Sequence, residues 1–246
     1  MDNNSQEALA VQSSTPATVR LPLVELFSTI EGEGTKAGFP TTFVRLYNCN
    51  LRCRWCDTPY SYAPHAPAFS ASIQEIIEKV KEFGNHYVCL TGGEPLLYTD
   101  KVLFLIQELV QLPCLKDVHV ETGGAVDLAP FATLRLENPL AARKLRFILD
   151  YKLPSSGEEA RMIRSNYELL TERDEIKFVI ADEADFYTAL KVLRSWVKQG
   201  QPLFSPVFGS MPPARLVELM HEHHVKDVKL SLQLHKVIWD PDRRGV

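Results

Sequence analysis

Three cysteines, Cys49, Cys53 and Cys56, fall within eight residues as C-x3-C-x2-C. Three thiolates on one tight loop suit a soft metal. A structural zinc site needs four ligands, usually as two C-x2-C-like halves, and no second pair exists here. His65, in a Pro-rich segment, is the residue available as a fourth ligand. An iron–sulfur cubane held by three cysteines instead leaves one iron open, and an open coordination position is where chemistry occurs. Left unligated, clustered thiols are an oxidation liability. The spacing points to a [4Fe-4S] cluster with one free iron, with zinc as the alternative. Cys89 and Cys114 stand alone in apolar stretches and read as packing residues.

Other residues near that loop have binding character. Phe27–Gly34 reads FSTIEGEG. Its glycines let the backbone of Ile30, Glu31 and Gly32 approach a flat heterocycle, and Glu31 can accept from an N–H edge. A simple turn is the other reading. Arg45 lies in an otherwise apolar strand. A buried guanidinium needs a partner. A ligand carboxylate offers a bidentate one, and an internal Asp or Glu is the alternative. Thr91-Gly92-Gly93-Glu94-Pro95 follows a further apolar run, where Gly-Gly is a turn at the least.

These residues must be carried by a scaffold. Leu21–Ile30 reads as extended and Thr41–Asn48 as a strand running straight into the cysteines. Ser72 and Glu75 make a capping box for a helix whose apolar positions end at Gly84. Tyr87–Thr91, Asp117–Glu121, Leu145–Tyr151, Glu175–Ile180, Pro202–Phe208 and Val228–Leu234 read as strands. Helices are expected after Thr99 and Asp100 as caps, over Glu158–Leu170, over Glu183–Gln199 and over Pro213–His224. The stretch before Leu145 is less regular. About six strand–helix alternations predict an α/β fold, a parallel sheet either open or curled into a partial barrel. Right-handed crossovers put the strand-end loops on one rim, the usual place for chemistry.

The chain has 246 residues, 45% hydrophobic and 24% charged, with a formal net charge of −4. That suits a single domain over residues 20–246. It gives no basic footprint for nucleic acid, and no apolar run is long enough to span a membrane. Residues 1–19 are polar, lack the pattern of a signal peptide, and are expected to form a loosely held tail. A reducing cytoplasmic location follows as an expectation, where five cysteines argue for metal or catalytic use.

C-x3-C-x2-C at the end of a first strand, with Trp55 before the third cysteine, resembles the radical S-adenosylmethionine enzymes. Gly92-Gly93-Glu94, one βα unit later, is similar to that superfamily's GGE motif. The resemblance implies a trimmed partial (βα) barrel and S-adenosyl-L-methionine chelating the open iron. Within that superfamily the chain resembles the 7-carboxy-7-deazaguanine synthase family. The likeness rests on FSTIEGEG, on Phe43-Val44-Arg45-Leu46, on the cysteines with Asp57-Thr58, and on Gln233-Leu234-His235-Lys236 with Trp239 and the final Arg244-Gly245-Val246.

That second resemblance implies a radical ring contraction of 6-carboxy-5,6,7,8-tetrahydropterin to 7-carboxy-7-deazaguanine with release of ammonia, in queuosine and other 7-deazapurine biosynthesis. By the same resemblance Cys49, Cys53 and Cys56 hold the cluster, and Thr58 ligates Mg2+. Ile30, Glu31, Gly32, Arg45 and Thr91 bind substrate. Trp55, Cys56, Asp57, Gly93 and Lys152 contact S-adenosylmethionine. Glu121, Gln233 and His235 are further candidates, each with a structural role as the other reading. Asp150-Tyr151-Lys152 departs from the Ser-Pro-Lys common in the family but keeps the lysine. A homodimer and a reduced flavodoxin- or ferredoxin-like electron donor are also implied. The competing readings are a glycyl-radical-enzyme activase, which would lack a pterin pocket, and a non-enzymatic zinc-binding module.

Overall fold

A computed structural model describes residues 15–246. Its strands are β1 (Arg20–Ile30), β2 (Pro40–Leu46), β3 (Phe69–Ser72), β4 (Tyr87–Gly92), β5 (Asp117–Thr122), β6 (Leu145–Tyr151), β7 (Glu175–Ile180), β8 (Gln201–Pro206) and β9 (Lys229–Leu230). They form one sheet in the order β3-β1-β2-β4-β5-β6-β7-β8-β9. β1 is antiparallel to β2 and β3, and from β2 to β9 all neighbours are parallel. The sheet stays unclosed, with β3 and β9 as its edges. This is the expected partial barrel.

The helices are α1 (Ile73–Phe83), α2 (Thr99–Gln111), α3 (Ala129–Glu137), α4 (Pro139–Lys144), α5 (Arg164–Glu168), α6 (Glu183–Ser195), α7 (Pro213–Glu222) and α8 (His235–Ile238). α1 starts on the Ser72–Glu75 capping box, and Gly84 ends it in the left-handed region at φ 69°.

Alternation along the parallel strands separates two environments. Val88 and Leu90, Val118 and Val120, Phe147 and Leu149, and Ile176 and Phe178 join the hydrophobic core. The core also takes Ile76 and Val80 of α1, Leu105 and Leu109 of α2, and Phe186 of α6. Each such side chain contributes roughly 1.5–3 kcal/mol when removed from water. The intervening residues (Cys89, Thr91; His119, Glu121; Arg146, Asp150; Glu175, Lys177) must point to the opposite, inner face, because strand side chains alternate. That inner face is polar, and it carries the site.

Several elements differ from expectation. The stretch before Leu145 holds α3 and α4. Asn138 starts α4 by accepting from the Leu140 and Ala141 N–H groups at 2.9 and 3.1 Å, with Pro139 in the first turn. Thr99 does not cap α2; its hydroxyl bonds back to the Leu96 carbonyl, because a 3-10 turn over Pro95–Tyr98 leads directly into the helix. Glu158–Leu170 is broken into a 3-10 turn at Glu159–Arg161 and α5, and α6 stops at Ser195. β9 is only two residues long. Past it the chain leaves the sheet: Ser231 Oγ accepts from Gly34 N–H at 2.9 Å, and Leu234 N–H donates to Gly32 O at 2.9 Å. β3 fell in a Pro/Ala-rich stretch that carries no strand signal. Of the tail expected over 1–19, residues 1–14 lie outside the described residues. Pro16 and Val19, however, accept from Gln74 and Ile73 N–H groups at 2.8 and 3.0 Å, which ties that part to α1.

Candidate active site

The cysteine loop leaves β2 at Asn48, which takes a left-handed conformation at φ 79°, one that Asn tolerates. Asn48 N–H donates to Ser61 O at 2.6 Å and closes the loop's base. The loop is tied to the next rim segments by Arg54 N–H to Ser156 O at 3.1 Å and Asn50 Nδ2 to Ala125 O at 3.1 Å. The Gly92-Gly93 turn packs against the same base. A Cβ at Gly92 or Gly93 would lie 2.1 Å from the Leu46 or Asn48 carbonyl oxygen, so both positions require glycine. Glu94 is fully buried and accepts from Leu96 N–H (3.0 Å), Thr122 Oγ1 (2.9 Å) and Gly123 N–H (2.7 Å). It joins the loops after β4 and β5.

These loops surround a cavity of about 830 Å³, toward the large end for a small-molecule site. Cys49, Cys53, Trp55, Cys56, Asp57, Thr58, Gly93 and Lys152 line one part of it. Ile30, Glu31, Gly32, Arg45, Thr91, Glu121, Gln233 and His235 line it as well. The residues that the family resemblance assigned to cluster, Mg2+, S-adenosylmethionine and substrate therefore line one cavity, and His65 does not.

The cysteines suit a cluster. All three are unpaired and half-buried. Burial pushes the Cys49 thiol up to about 11 and raises Cys53 too. A cationic metal centre is what turns such thiols into thiolates. Leu51 N–H also points at Cys49 Sγ at 3.4 Å, the kind of donor that tunes a cluster sulfur. Thr58 Oγ1 sits 3.9 Å from Cys56 Sγ.

Glu31, Gly32 and Glu33, the start of the loop that runs to Phe39, form the cavity's floor. β1 ends at Ile30 beside Pro40, where the parallel strands begin, so the loop crosses the barrel from that end. Gly32 is pressed against His235: a Cβ there would stand 2.5 Å from His235 Nδ1. Glu31 is buried, with Oε2 2.8 Å from His119 Nε2 and Oε1 accepting from Glu33 N–H at 3.3 Å. Its carboxylate is thus already engaged within the protein. The ligand atoms of Glu31, Cys89 and His119 lie within 4.8 Å of one another. The 2.8 Å Glu31–His119 separation is nonetheless hydrogen-bonding, shorter than the roughly 3.3 Å between two tetrahedral zinc ligands bonded at about 2.0–2.1 Å.

Arg45 has the internal partner left open from sequence: Nε donates to Glu25 Oε2 at 2.7 Å. The two Nη nitrogens make no hydrogen bond among the described residues. Burial opposes the guanidinium charge, but the Glu25 and Asp57 carboxylates favour it, and the Arg45 pKa is raised.

Sequence reading missed Glu33, Asp150 and Lys177, which also line the cavity. Lys177 Nζ stands 3.1 Å from Glu33, 3.5 Å from Asp150 and 3.8 Å from Glu121. Burial opposes its charge, but those three carboxylates raise its pKa well above the usual lysine value. Burial likewise opposes ionisation of Glu33, yet Lys177 and a 2.8 Å bond from Gln233 Nε2 hold it at about 2. For Glu121 burial prevails and pushes the carboxyl up, even with Thr91 Oγ1 donating to it at 3.0 Å. Lys152 pairs with Asp150, whose Oδ1 is buried without a hydrogen bond. Burial pushes His235 down. For Lys177 the signal was period-two polarity, Glu175-x-Lys177, which places two charges on one strand face; Glu33, in a loop, and Asp150, in a mostly apolar strand, carry no such pattern.

An unclosed parallel barrel with a three-thiol loop after its first parallel strand defines the radical S-adenosylmethionine class, and residues 44–151 match the Radical SAM superfamily. A 7-carboxy-7-deazaguanine synthase of Clostridium acetobutylicum is 38% identical over 226 residues, covering 91% of this chain and 98% of that one. One from Leptospira interrogans is 36% identical over 241 residues, covering 90% and 96%. The crystal structure of QueE from Escherichia coli superposes with a TM-score of 0.65 at 20% identity, over 89% of this chain and 96% of that one, a likeness of fold. The chain belongs to the 7-carboxy-7-deazaguanine synthase family. It is thus a radical S-adenosylmethionine lyase, using a [4Fe-4S] cluster and S-adenosylmethionine, which displaces the zinc-module and activase readings.

Proposed function

We infer that the cavity binds 6-carboxy-5,6,7,8-tetrahydropterin between its floor loop and the cysteine loop, and that the protein converts it to 7-carboxy-7-deazaguanine with loss of ammonia. The observation that carries this reading is the meeting of three thiols, a half-used guanidinium and a glycine-flanked floor in one cavity. Cys49, Cys53 and Cys56 would hold the cluster, which together with S-adenosylmethionine would supply the radical hydrogen-transfer chemistry that the ring contraction needs.

The chain's own residues bind and orient. Trp55, Cys56, Asp57 and Gly93 offer S-adenosylmethionine a shaped wall, and the Lys152 ammonium suits its carboxylate. Arg45 presents both Nη groups to the substrate carboxylate. Thr58 Oγ1 would give Mg2+ one protein ligand, an oxygen donor of the kind that ion prefers. Ile30, Glu31 and Gly32 lie under the flat ring through their backbone, because the Glu31 carboxylate is held by His119. Thr91 and Glu121 face the ring as a bonded pair. Gln233 and His235 close the side wall; His235, with its pKa lowered by burial, stays neutral and can accept a proton or a hydrogen bond.

The same reading takes the enzyme to be cytoplasmic and homodimeric, with electrons from a reduced flavodoxin- or ferredoxin-like protein; the family resemblance supports each point. Among the described residues no helix is long and apolar enough to cross a membrane. Thermal unfolding of the reconstituted protein tests the substrate. The carboxytetrahydropterin is expected to raise the midpoint in a concentration-dependent way, and no shift at saturating concentration would overturn the assignment.

A further inference from the structure

Beneath the cavity, the inner face of the sheet carries a chain of buried polar groups that the reaction above does not use. Cys89, His119 and Arg146 stand side by side on β4, β5 and β6. His119 Nε2 is 2.8 Å from Glu31 Oε2, and its Nδ1 is 2.9 Å from Asp117 Oδ1. Asp117 Oδ2 accepts from Arg146 Nε at 2.8 Å, and Arg146 Nη1 bonds Glu175. Glu175 in turn accepts from the Thr35 N–H at 3.2 Å and from its hydroxyl. The chain leaves the floor loop at Glu31 and returns to it at Thr35.

His119 is 0% exposed, with Glu31, Asp117, Arg146 and Glu175 all at 4% or less. A carboxylate oxygen faces each ring nitrogen, so both nitrogens must donate, which requires the imidazolium. Burial opposes that charge, and the hydrogen bonds to the Asp117 and Glu31 carboxylates favour it, so the His119 pKa is raised. Taking this charge away leaves two buried carboxylates without it, so Glu31 loses its anchor and the floor loop its shape.

We propose that His119 is a positioning residue: clamped between Asp117 and Glu31, it fixes the Glu31–Thr35 loop as a rigid floor under the substrate and so sets substrate affinity without touching substrate. This rests on the pterin reading of the cavity. A loop already ordered does not have to be ordered by the ligand.

The test uses His119→Gln, His119→Ala and Thr35→Val in the reconstituted holoprotein. Thr35 is exposed, so its variant is expected to fold, and it cuts the far end of the chain. Iron content, the Kd for S-adenosylmethionine and the Kd for the carboxytetrahydropterin are measured anaerobically. The expected result is full iron and wild-type S-adenosylmethionine affinity, with pterin binding at least tenfold weaker for the His119 variants and about threefold weaker for Thr35→Val. Wild-type pterin affinity in the His119 variants, or an equal fall in both affinities, overturns the proposal. If the His119 variants do not fold, unchanged pterin affinity in Thr35→Val overturns it. If the wild type itself fails to bind the pterin, the reading of the cavity falls first, and this proposal with it.

Discussion

Arg45→Ala separates a substrate ligand from a structural ion pair. Glu25 takes only Nε, at 2.7 Å, so the Nη edge is free to grip a carboxylate through two charge-assisted bonds. Such bonds are worth roughly 1.5–3 kcal/mol each. The cavity is open to water, so their sum is discounted to about 3 kcal/mol, on the order of a hundredfold in Kd at roughly 1.4 kcal/mol per decade. Stability should fall much less, by about 1 kcal/mol. Glu25 keeps Tyr60 Oη at 3.4 Å and Arg244 Nε at 3.7 Å and is not left alone. Arg45→Lys retains charge but cannot serve Glu25 and a bidentate ligand together, so it should fall between. Glu25→Gln leaves the Nη edge intact and should stay within about threefold of wild type, given the modest worth of one lost partner bond. Anaerobic titration calorimetry with the carboxytetrahydropterin reads all three. Wild-type affinity in Arg45→Ala would refute the assignment. So would Glu25→Gln weakening binding as much as Arg45→Ala, since Arg45 would then act only through Glu25.

Cys53→Ala should lose the cluster, read as iron content after reconstitution, while the apo-protein's urea midpoint stays near wild type because the side chain is only half-buried; normal iron would contradict the ligand set. Glu94→Ala strands the Leu96 and Gly123 N–H groups and the Thr122 hydroxyl in a buried place, a loss of roughly 3–5 kcal/mol by urea unfolding. A loss below about 1 kcal/mol would mean the two loops do not depend on it. Glu33 is held at about 2 in the folded protein, below its ordinary carboxylate value. The stability it contributes is therefore full above about pH 4.5 and drains away as pH falls toward about 2. Acid unfolding of Glu33→Gln should accordingly be flatter across that window, and an unchanged slope would remove the Glu33–Lys177 coupling.

The parts of the fold that were legible in sequence carry strong local signals. The Ser72–Glu75 capping box starts α1 as expected, and the apolar runs at Tyr87, Leu145 and Glu175 begin strands. The region before Leu145 failed because its helices are short and weakly amphipathic, although Asn138-Pro139 is a helix-start signal. β9 failed for a tertiary reason: Ser231 and Leu234 bond the floor loop, so the chain cannot continue along β8. Within the site, the cysteine loop and Gly92-Gly93 were legible because their chemistry is compressed into a few residues. Glu33, Asp150 and Lys177 were not, because they converge from a loop and two strands far apart in the sequence. Glu31 shows the limit from the other side. Its type suggested a ligand contact, and its side chain is spent on His119, 88 residues away.

On this reading one cavity holds a radical-generating cluster and a carboxytetrahydropterin together. The most direct test is anaerobic reconstitution with iron and sulfide, then incubation with reductant, S-adenosylmethionine, Mg2+ and 6-carboxy-5,6,7,8-tetrahydropterin, followed by mass spectrometry. The expected products are 7-carboxy-7-deazaguanine and ammonia in equal amounts, with S-adenosylmethionine not consumed in proportion to product. Cleavage of S-adenosylmethionine to 5′-deoxyadenosine with the pterin recovered unchanged would contradict it.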